Sequence, residues 1–146
     1  MDALVWVLLA VAVAVVVYAL RRAGRRRAVR VRGFRAVAPG RLPPGVPRPR
    51  EVHWAAVPFE DGGGVKDRPC LVLAANAERV VVAKITTREY PPARPVRLPA
   101  GTVDDRRGRV SWVEPANLRV LSVGAFRRRA GAVDGAVWDQ VRRRAR

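Results

Sequence analysis

Hydrophobic and polar positions after residue 50 group into short runs rich in β-branched residues, a pattern typical of strands. The two strongest runs are PCLVLAA (69–75) and RVVVAKITT (79–87). Three residues, Asn76-Ala77-Glu78, separate them, which suits a hairpin connection. Weaker runs predict further strands at 51–59, 96–98, 109–115 and 118–122, and the stretches 60–67 and 90–108 are predicted to be mostly loop.

The end of the chain changes to helical spacing. Asp134 suits an N-cap, and Val137, Trp138 and Val141 fall on one face of a helix that would run to about Arg144. The arginine-rich last turn favours the negative end of the helix dipole. The pattern therefore predicts a mainly β fold, a small curved antiparallel barrel or sheet, with a C-terminal α-helix.

The beginning of the chain has a different pattern. Residues 3–20 are apolar without interruption, and at about 1.5 Å per residue they reach roughly 27 Å, the thickness of a bilayer core. A cleaved signal peptide is the competing interpretation, but it would carry positive charge before the apolar run. Here Asp2 precedes the run, and Arg21 and Arg22 follow it. We therefore predict a retained transmembrane anchor at residues 1–22.

The next segment, residues 23–50, is predicted to be a basic tether. Residues 21–50 contain eleven arginines and no acidic residue, so the positive-inside rule predicts that the C-terminal part faces the cytoplasm. The region from Arg21 to Arg35 is expected to bind anionic lipid headgroups. Five prolines between residues 39 and 49 favour an extended, stiff conformation. We place the domain boundary near Arg50, which leaves residues 51–146 as the folded domain.

Charge and composition limit the chemistry. The chain has a formal net charge of +17, which favours anionic partners such as nucleic acid, lipid or an acidic protein segment. A single cysteine, Cys70, excludes an internal disulfide, and with one histidine, His53, it cannot build a zinc site. A mechanism of the pancreatic ribonuclease type would need two histidines. We predict neither a metal nor another cofactor.

The stretch VKDRPCLVL (65–73) places a charged pair directly before a buried strand. Pro69 suits the first position of that strand, so Arg68 is expected at the rim of the sheet. A guanidinium fixed there could form a structural ion pair with Asp67, or it could bind a phosphate, whose oxygens match its planar fork.

The order of these segments resembles the PemK/MazF family of toxin endoribonucleases from type II toxin–antitoxin systems, over roughly residues 50–128. EVHWAAVPF is similar to the family's opening strand, and Arg68-Pro69 precedes a hydrophobic strand as in the family. VVVAKITT is similar to the strand that carries the family's Ile-Thr, and SWVEPANLRVL, with Ser111 and Arg119, to its late segment. Two departures are Arg50, where the family usually has glycine, and the apolar N-terminus.

The resemblance implies an SH3-like, PemK-type fold, a homodimer and a set of site residues. Arg68 would contact the scissile phosphate, and Thr86 would be its catalytic partner. Thr87 takes that place if the register shifts by one residue, and is otherwise a substrate-binding candidate. The remaining substrate-binding candidates are Ser111, Lys84 and Lys66.

Two functions from different classes follow from these residues. The first is a membrane-tethered, metal-independent endoribonuclease that cleaves single-stranded RNA through attack by the 2′-hydroxyl, and that an acidic antitoxin could inhibit. The second is a non-catalytic module of the same fold that binds nucleic acid or a protein, because a fold alone does not establish an activity. Arg68 and Thr86 meeting in one solvent-open groove would favour the enzyme.

Overall fold

The computed structural model describes residues 11–16 and 31–145. Within this part of the chain, six antiparallel strands form one sheet in the order β4-β5-β3-β2-β1-β6. The strands are β1 (Glu51–Pro58), β2 (Val65–Ala75), β3 (Arg79–Thr86), β4 (Val96–Arg97), β5 (Trp112–Ser122) and β6 (Phe126–Ala132). The helix Gly135–Arg144 follows. The mainly β prediction with a C-terminal helix is therefore confirmed.

The predicted hairpin between β2 and β3 is present, and Asn76 closes it. The Asn76 side-chain oxygen accepts hydrogen bonds from the backbone N–H groups of Glu78 (3.0 Å) and Arg79 (2.8 Å). This is a common use of asparagine in turns, because its short side chain can satisfy nearby backbone donors.

Strands β5 and β6 differ from the sequence-based prediction. The predicted strands 109–115 and 118–122 form one strand, β5. The register shifts between the pairs Ala83–Leu118 and Lys84–Glu114 and so accommodates Pro115 in a bulge. Strand β6 has the sequence FRRRAGA and was missed. Its arginines are exposed at the edge of the sheet, and this position needs no alternating hydrophobic pattern.

The first face of the sheet packs against the C-terminal helix. Val52, Leu71 and Val81 are fully buried there, together with Val137 and Val141 from the helix. The helix begins as predicted, since the Asp134 carboxylate accepts a hydrogen bond from the Val137 N–H at 2.8 Å. This side of the molecule forms the larger of two hydrophobic clusters.

The second face of the sheet is partly covered by the proline-rich segment. Leu42 and Val46 are 5% and 7% exposed, and they pack with Cys70, Val72 and Val82 of the sheet. Backbone hydrogen bonds fix both ends of this cover: Val37 N–H to Ala75 O at 2.8 Å and Arg50 N–H to Val72 O at 3.0 Å. Residues 39–49 form neither an α-helix nor a strand. Instead of extending away as the predicted tether, this part of the chain belongs to the packed core.

Arg50 occupies a backbone conformation that favours glycine. Its φ is +79°, in the left-handed region that costs residues with a side chain about 1–2 kcal/mol. Its guanidinium compensates by donating two hydrogen bonds to the Val133 carbonyl, at 3.3 and 3.1 Å. At the position where the family usually has glycine, Arg50 thus adopts a turn conformation that favours glycine and links this turn to the end of β6.

Most of the predicted membrane anchor, residues 1–22, lies outside the described residues, as do residues 23–30 of the basic segment. Residues 11–16 are helical. In the part of the chain that the structure describes, no helix combines the length and the apolar character needed to span a bilayer.

Candidate functional site

A solvent-open cavity of about 350 Å³ lies at the end of the second face that the proline-rich segment leaves uncovered. Three basic residues from three neighbouring strands line it: Arg68 from β2, Lys84 from β3 and Arg119 from β5. The other side is formed by the end of β1 and the loop after it, with residues Val57, Pro58, Phe59, Glu60 and Asp61. The lining therefore combines three basic side chains with two acidic ones, Glu60 and Asp61.

Strand geometry explains why Arg68 points into this cavity. Arg68 lies directly opposite Ala55 of β1, whose side chain is buried in the second face, and directly opposed residues share a face. Asp67 therefore points to the other side, where its carboxylate lies 3.6 Å from Arg127 Nε. Among the described residues, no ion pair or hydrogen bond joins the Arg68 guanidinium. The structural pair with Asp67 is excluded, and Arg68 remains available to a ligand.

Lys84 is held in the cavity by a carboxylate that sequence reasoning missed. Lys84 Nζ lies 3.2 Å from Glu114 Oε2, which also accepts a hydrogen bond from Asn117 Nδ2 at 3.2 Å. Glu114 is only 8% exposed, and such a buried charge requires a partner. The β5 bulge places Glu114 opposite Lys84, so only the irregular register brings the two together.

Arg119 was noted in the sequence only as part of a motif, and its partner Glu60 was not predicted. Arg119 Nη2 lies 2.5 Å from Glu60 Oε1, and Arg119 Nη1 donates to the Leu118 carbonyl at 3.1 Å. Glu60 belongs to the loop between β1 and β2, which the sequence identified only as flexible. Loops carry little periodic signal, so only the tertiary structure reveals this contact.

The predicted threonines lie near the cavity but do not line it. Thr86 is the last residue of β3, two positions after Lys84, and strand alternation puts both on the same face. It is half-buried, and its hydroxyl oxygen accepts a hydrogen bond from the Arg88 N–H at 3.2 Å. Thr87 is exposed just beyond the strand. A catalytic role for either threonine stays a prediction.

Ser111 and Lys66 lie apart from the cavity lining. Ser111 is 7% exposed and borders a separate recess of about 60 Å³ beside β4. Its carbonyl accepts a hydrogen bond from the Leu98 N–H at 2.9 Å. Lys66 is exposed near the start of β2, opposite Val57. Of the six sequence-predicted site residues, the structure thus brings Arg68 and Lys84 together.

Cys70 marks the boundary between the cavity and the covered core. Burial raises the pKa of its thiol to about 12, although the positive charges of Arg68 and Lys84 act in the opposite direction. Desolvation therefore outweighs two nearby cations at this position. The thiol is a packing group rather than a nucleophile.

Comparisons with known proteins agree with this architecture. Residues 48–146 match the family model described as a PemK-like, MazF-like toxin of type II toxin–antitoxin systems. The structure is similar to the Mycobacterium tuberculosis toxin MazF-mt6, with a TM-score of 0.53 and 25% identity over 66% of this chain and 91% of that one. A comparison with curated protein sequences found no match.

More distant solved structures share the fold. A MazE–MazF crystal structure from Deinococcus radiodurans matches with a TM-score of 0.53 and 22% identity, covering 66% of this chain and 90% of that one. An endoribonuclease in complex with its cognate antitoxin from Mycobacterial species matches with a TM-score of 0.51 and 17% identity, covering 65% and 86%. With a family match over more than half of its length, the chain belongs to the PemK/MazF family of toxin endoribonucleases from type II toxin–antitoxin systems.

Proposed function

We propose that this chain cleaves single-stranded RNA without a metal ion, by attack of a ribose 2′-hydroxyl on the adjacent phosphate. The observation that carries the proposal is the Arg68 guanidinium, which faces a solvent-open cavity beside Lys84 and Arg119 and has no ion-pair partner among the described residues. An unpaired cation in an open cavity can stabilise a phosphate when negative charge accumulates on its oxygens.

The reaction moves the phosphoryl bond from the 5′-oxygen to the 2′-oxygen. The 2′-hydroxyl loses its proton to solvent as its oxygen bonds to phosphorus, the bond from phosphorus to the 5′-oxygen breaks, and that oxygen takes a proton from solvent and leaves as a hydroxyl. Arg68 stabilises the charge on the phosphoryl oxygens, since a guanidinium only donates hydrogen bonds and cannot act as the base. Thr86 can position or relay a proton but is weak as an acid or base, so we expect slow turnover.

The test is to incubate the full-length chain with a single-stranded RNA in EDTA and to analyse the ends of the products. We expect 2′,3′-cyclic phosphate and 5′-hydroxyl ends, and no cleavage of DNA of the same sequence, because DNA lacks the attacking group. Cleavage of DNA, or RNA products with 5′-phosphate ends, would contradict this mechanism. RNA that is bound but left intact would establish the non-catalytic module instead.

We also propose that the chain acts as a homodimer that an acidic antitoxin segment can bind. Family membership and the solved complexes of MazF with MazE and of an endoribonuclease with its cognate antitoxin support this assembly. The three basic side chains of the cavity suit acidic side chains as well as phosphates. Light scattering of the full-length chain should give twice the monomer mass, and a monomer at micromolar concentration would contradict the proposal.

Membrane tethering is a separate proposal that rests on the sequence. The apolar run at residues 3–20 and the arginines that follow it support an anchor with the domain in the cytoplasm. A C-terminal reporter that is active only outside the cytoplasm should remain silent, while a reporter active inside should respond. The reverse result would contradict the orientation, and recovery of the chain away from membranes would contradict the anchor.

A further inference from the structure

We propose that Arg119 binds a second RNA phosphate, distinct from the one at Arg68, and that Glu60 occupies Arg119 until RNA displaces it. The proposal rests on the proposed function in taking RNA as the ligand. It adds a binding residue and an internal competitor within the same cavity.

The two ion pairs of the cavity differ in how firmly their carboxylates are held. Glu114, the partner of Lys84, is 11% exposed at its side chain and has a second hydrogen bond from Asn117. Glu60, the partner of Arg119, is 75% exposed at its side chain. Within the described residues, Arg119 is its single side-chain partner. The Glu114 pair is therefore part of the scaffold, whereas the Glu60 pair can exchange with solvent or ligand at little cost.

The loop that carries Glu60 can move without disturbing the sheet. Residues 59–64 connect β1 to β2 and include three consecutive glycines. Gly62 and Gly64 have φ values of +74° and +121°, which glycine adopts without strain. The Phe59 N–H donates to the Gly64 carbonyl at 2.9 Å, which closes the base of the loop. A change at the tip of the loop can therefore release Glu60 while β1 and β2 stay paired.

The separation of the two arginines assigns them to different phosphates. Arg68 is on β2 and Arg119 on β5, and β3 lies between these strands. Across the sheet, two strand spacings separate their backbones by roughly 9–10 Å. Along the strands they lie on opposite sides of Lys84, because Lys84 pairs with Cys70, two residues from Arg68, while Arg119 pairs with Val82, and this offset adds roughly 13 Å. Carboxylate and phosphate both present oxygens that match a guanidinium fork, so the Glu60 carboxylate occupies the position that a phosphate oxygen would take on Arg119.

The experiment measures binding of an uncleavable single-stranded RNA in which every 2′-hydroxyl is methylated. Full-length chain carrying Glu60→Gln, Arg119→Ala or both changes is compared with wild type by fluorescence anisotropy over a salt series. Glu78→Gln and Arg106→Ala are the matched controls, since both residues are exposed and each control makes the same change in net charge. Thermal unfolding of each variant verifies that it is folded.

We expect Glu60→Gln to tighten binding by about two- to fivefold, the scale of losing one exposed ion pair, and Glu78→Gln to tighten it less. Arg119→Ala should weaken binding and reduce the slope of log affinity against log salt by about one. In the Arg119→Ala background, Glu60→Gln should give no gain, because the competition acts through Arg119.

Equal effects of Glu60→Gln and Glu78→Gln, or a gain from Glu60→Gln that persists without Arg119, would overturn the inference. The inference would also be overturned if Arg119→Ala and Arg106→Ala changed the slope of log affinity against log salt equally. Because the probe cannot be cut, this outcome is independent of catalysis. A chain that binds as expected but cleaves no RNA would reject the endoribonuclease proposal and leave the Glu60–Arg119 inference intact.

Discussion

The second face of the sheet has two halves with the same strand geometry and different surroundings. In one half, Val72, Val82 and Leu121 are covered by the proline-rich segment through Leu42 and Val46. In the other half, two of the same strands present Arg68 and Lys84 to an open cavity. Residue type therefore decides which part of the face is covered. Burying apolar side chains stabilises the fold, whereas burying charged side chains costs hydration free energy unless they are paired.

The open half should carry the activity, and this gives the largest expected effect. Replacing Arg68 with Ala should lower the rate of RNA cleavage by roughly 10²- to 10³-fold, the usual scale for losing one charge-stabilising donor. Arg68→Lys should also be slow, since an ammonium cannot reproduce the bidentate fork. Rates are measured at saturating RNA because salt and charge also change binding.

Arg106→Ala is the control for Arg68→Ala, because Arg106 is exposed and does not line the cavity. Its rate should stay close to that of wild type. If folded Arg68→Ala cleaves as fast as Arg106→Ala, the assignment of the activity to the open half is wrong.

We expect substitutions in the covered half to lower the stability of the fold. Leu42→Ala removes a side chain that is 5% exposed, and the loss of buried surface with the cavity left behind should lower the free energy of unfolding by about 2–5 kcal/mol. Val65→Ala, at a position that is 61% exposed, should change it by less than about 0.5 kcal/mol. Urea unfolding of the full-length chain measures both. Similar values for the two variants would show that residues 37–46 do not form part of the core.

The turn at Arg50 joins the covering segment to β1. Two opposing contributions to stability meet there: the hydrogen bonds to Val133 and the strain of the left-handed backbone. Arg50→Ala loses the hydrogen bonds to Val133 and keeps the left-handed backbone, whereas Arg50→Gly loses the same bonds and removes the strain. We therefore expect Arg50→Gly to be more stable than Arg50→Ala by about 1 kcal/mol. Thermal unfolding of the two variants measures the difference, and a more stable alanine variant would contradict the strained turn.

The reactivity of the Cys70 thiol measures how well solvent is excluded from the boundary between the two halves. A raised pKa, to about 12, means that the reactive thiolate is scarce at pH 8. Alkylation of the native chain by iodoacetamide should therefore be more than about 100-fold slower than alkylation of the unfolded chain. Leu42→Ala should accelerate the native reaction by loosening the cover. Rapid labelling of the wild-type chain under native conditions would show that solvent reaches the covered half.

Most of the local structure and one part of the site could be predicted from the amino-acid sequence. The β-branched runs specify β2 and β3, Asn76 specifies the turn between them, and Asp134 specifies the start of the helix, because each depends on residues close together in the chain. The Arg-Pro motif likewise identified Arg68 as a site residue, but its expected place before the strand was wrong, because Arg68 and Pro69 lie within β2.

Contacts between groups that are distant in the sequence could not be predicted and became visible in the folded chain. The packing of Leu42 and Val46 onto the sheet could not be predicted, because prolines indicate an extended backbone but not what that backbone packs against. Glu114 reaches Lys84 through a bulge, and Glu60 reaches Arg119 from a glycine-rich loop 59 positions away. Neither contact leaves a periodic trace in the sequence, since both depend on strand register and loop path, which are fixed by burial across the whole sheet.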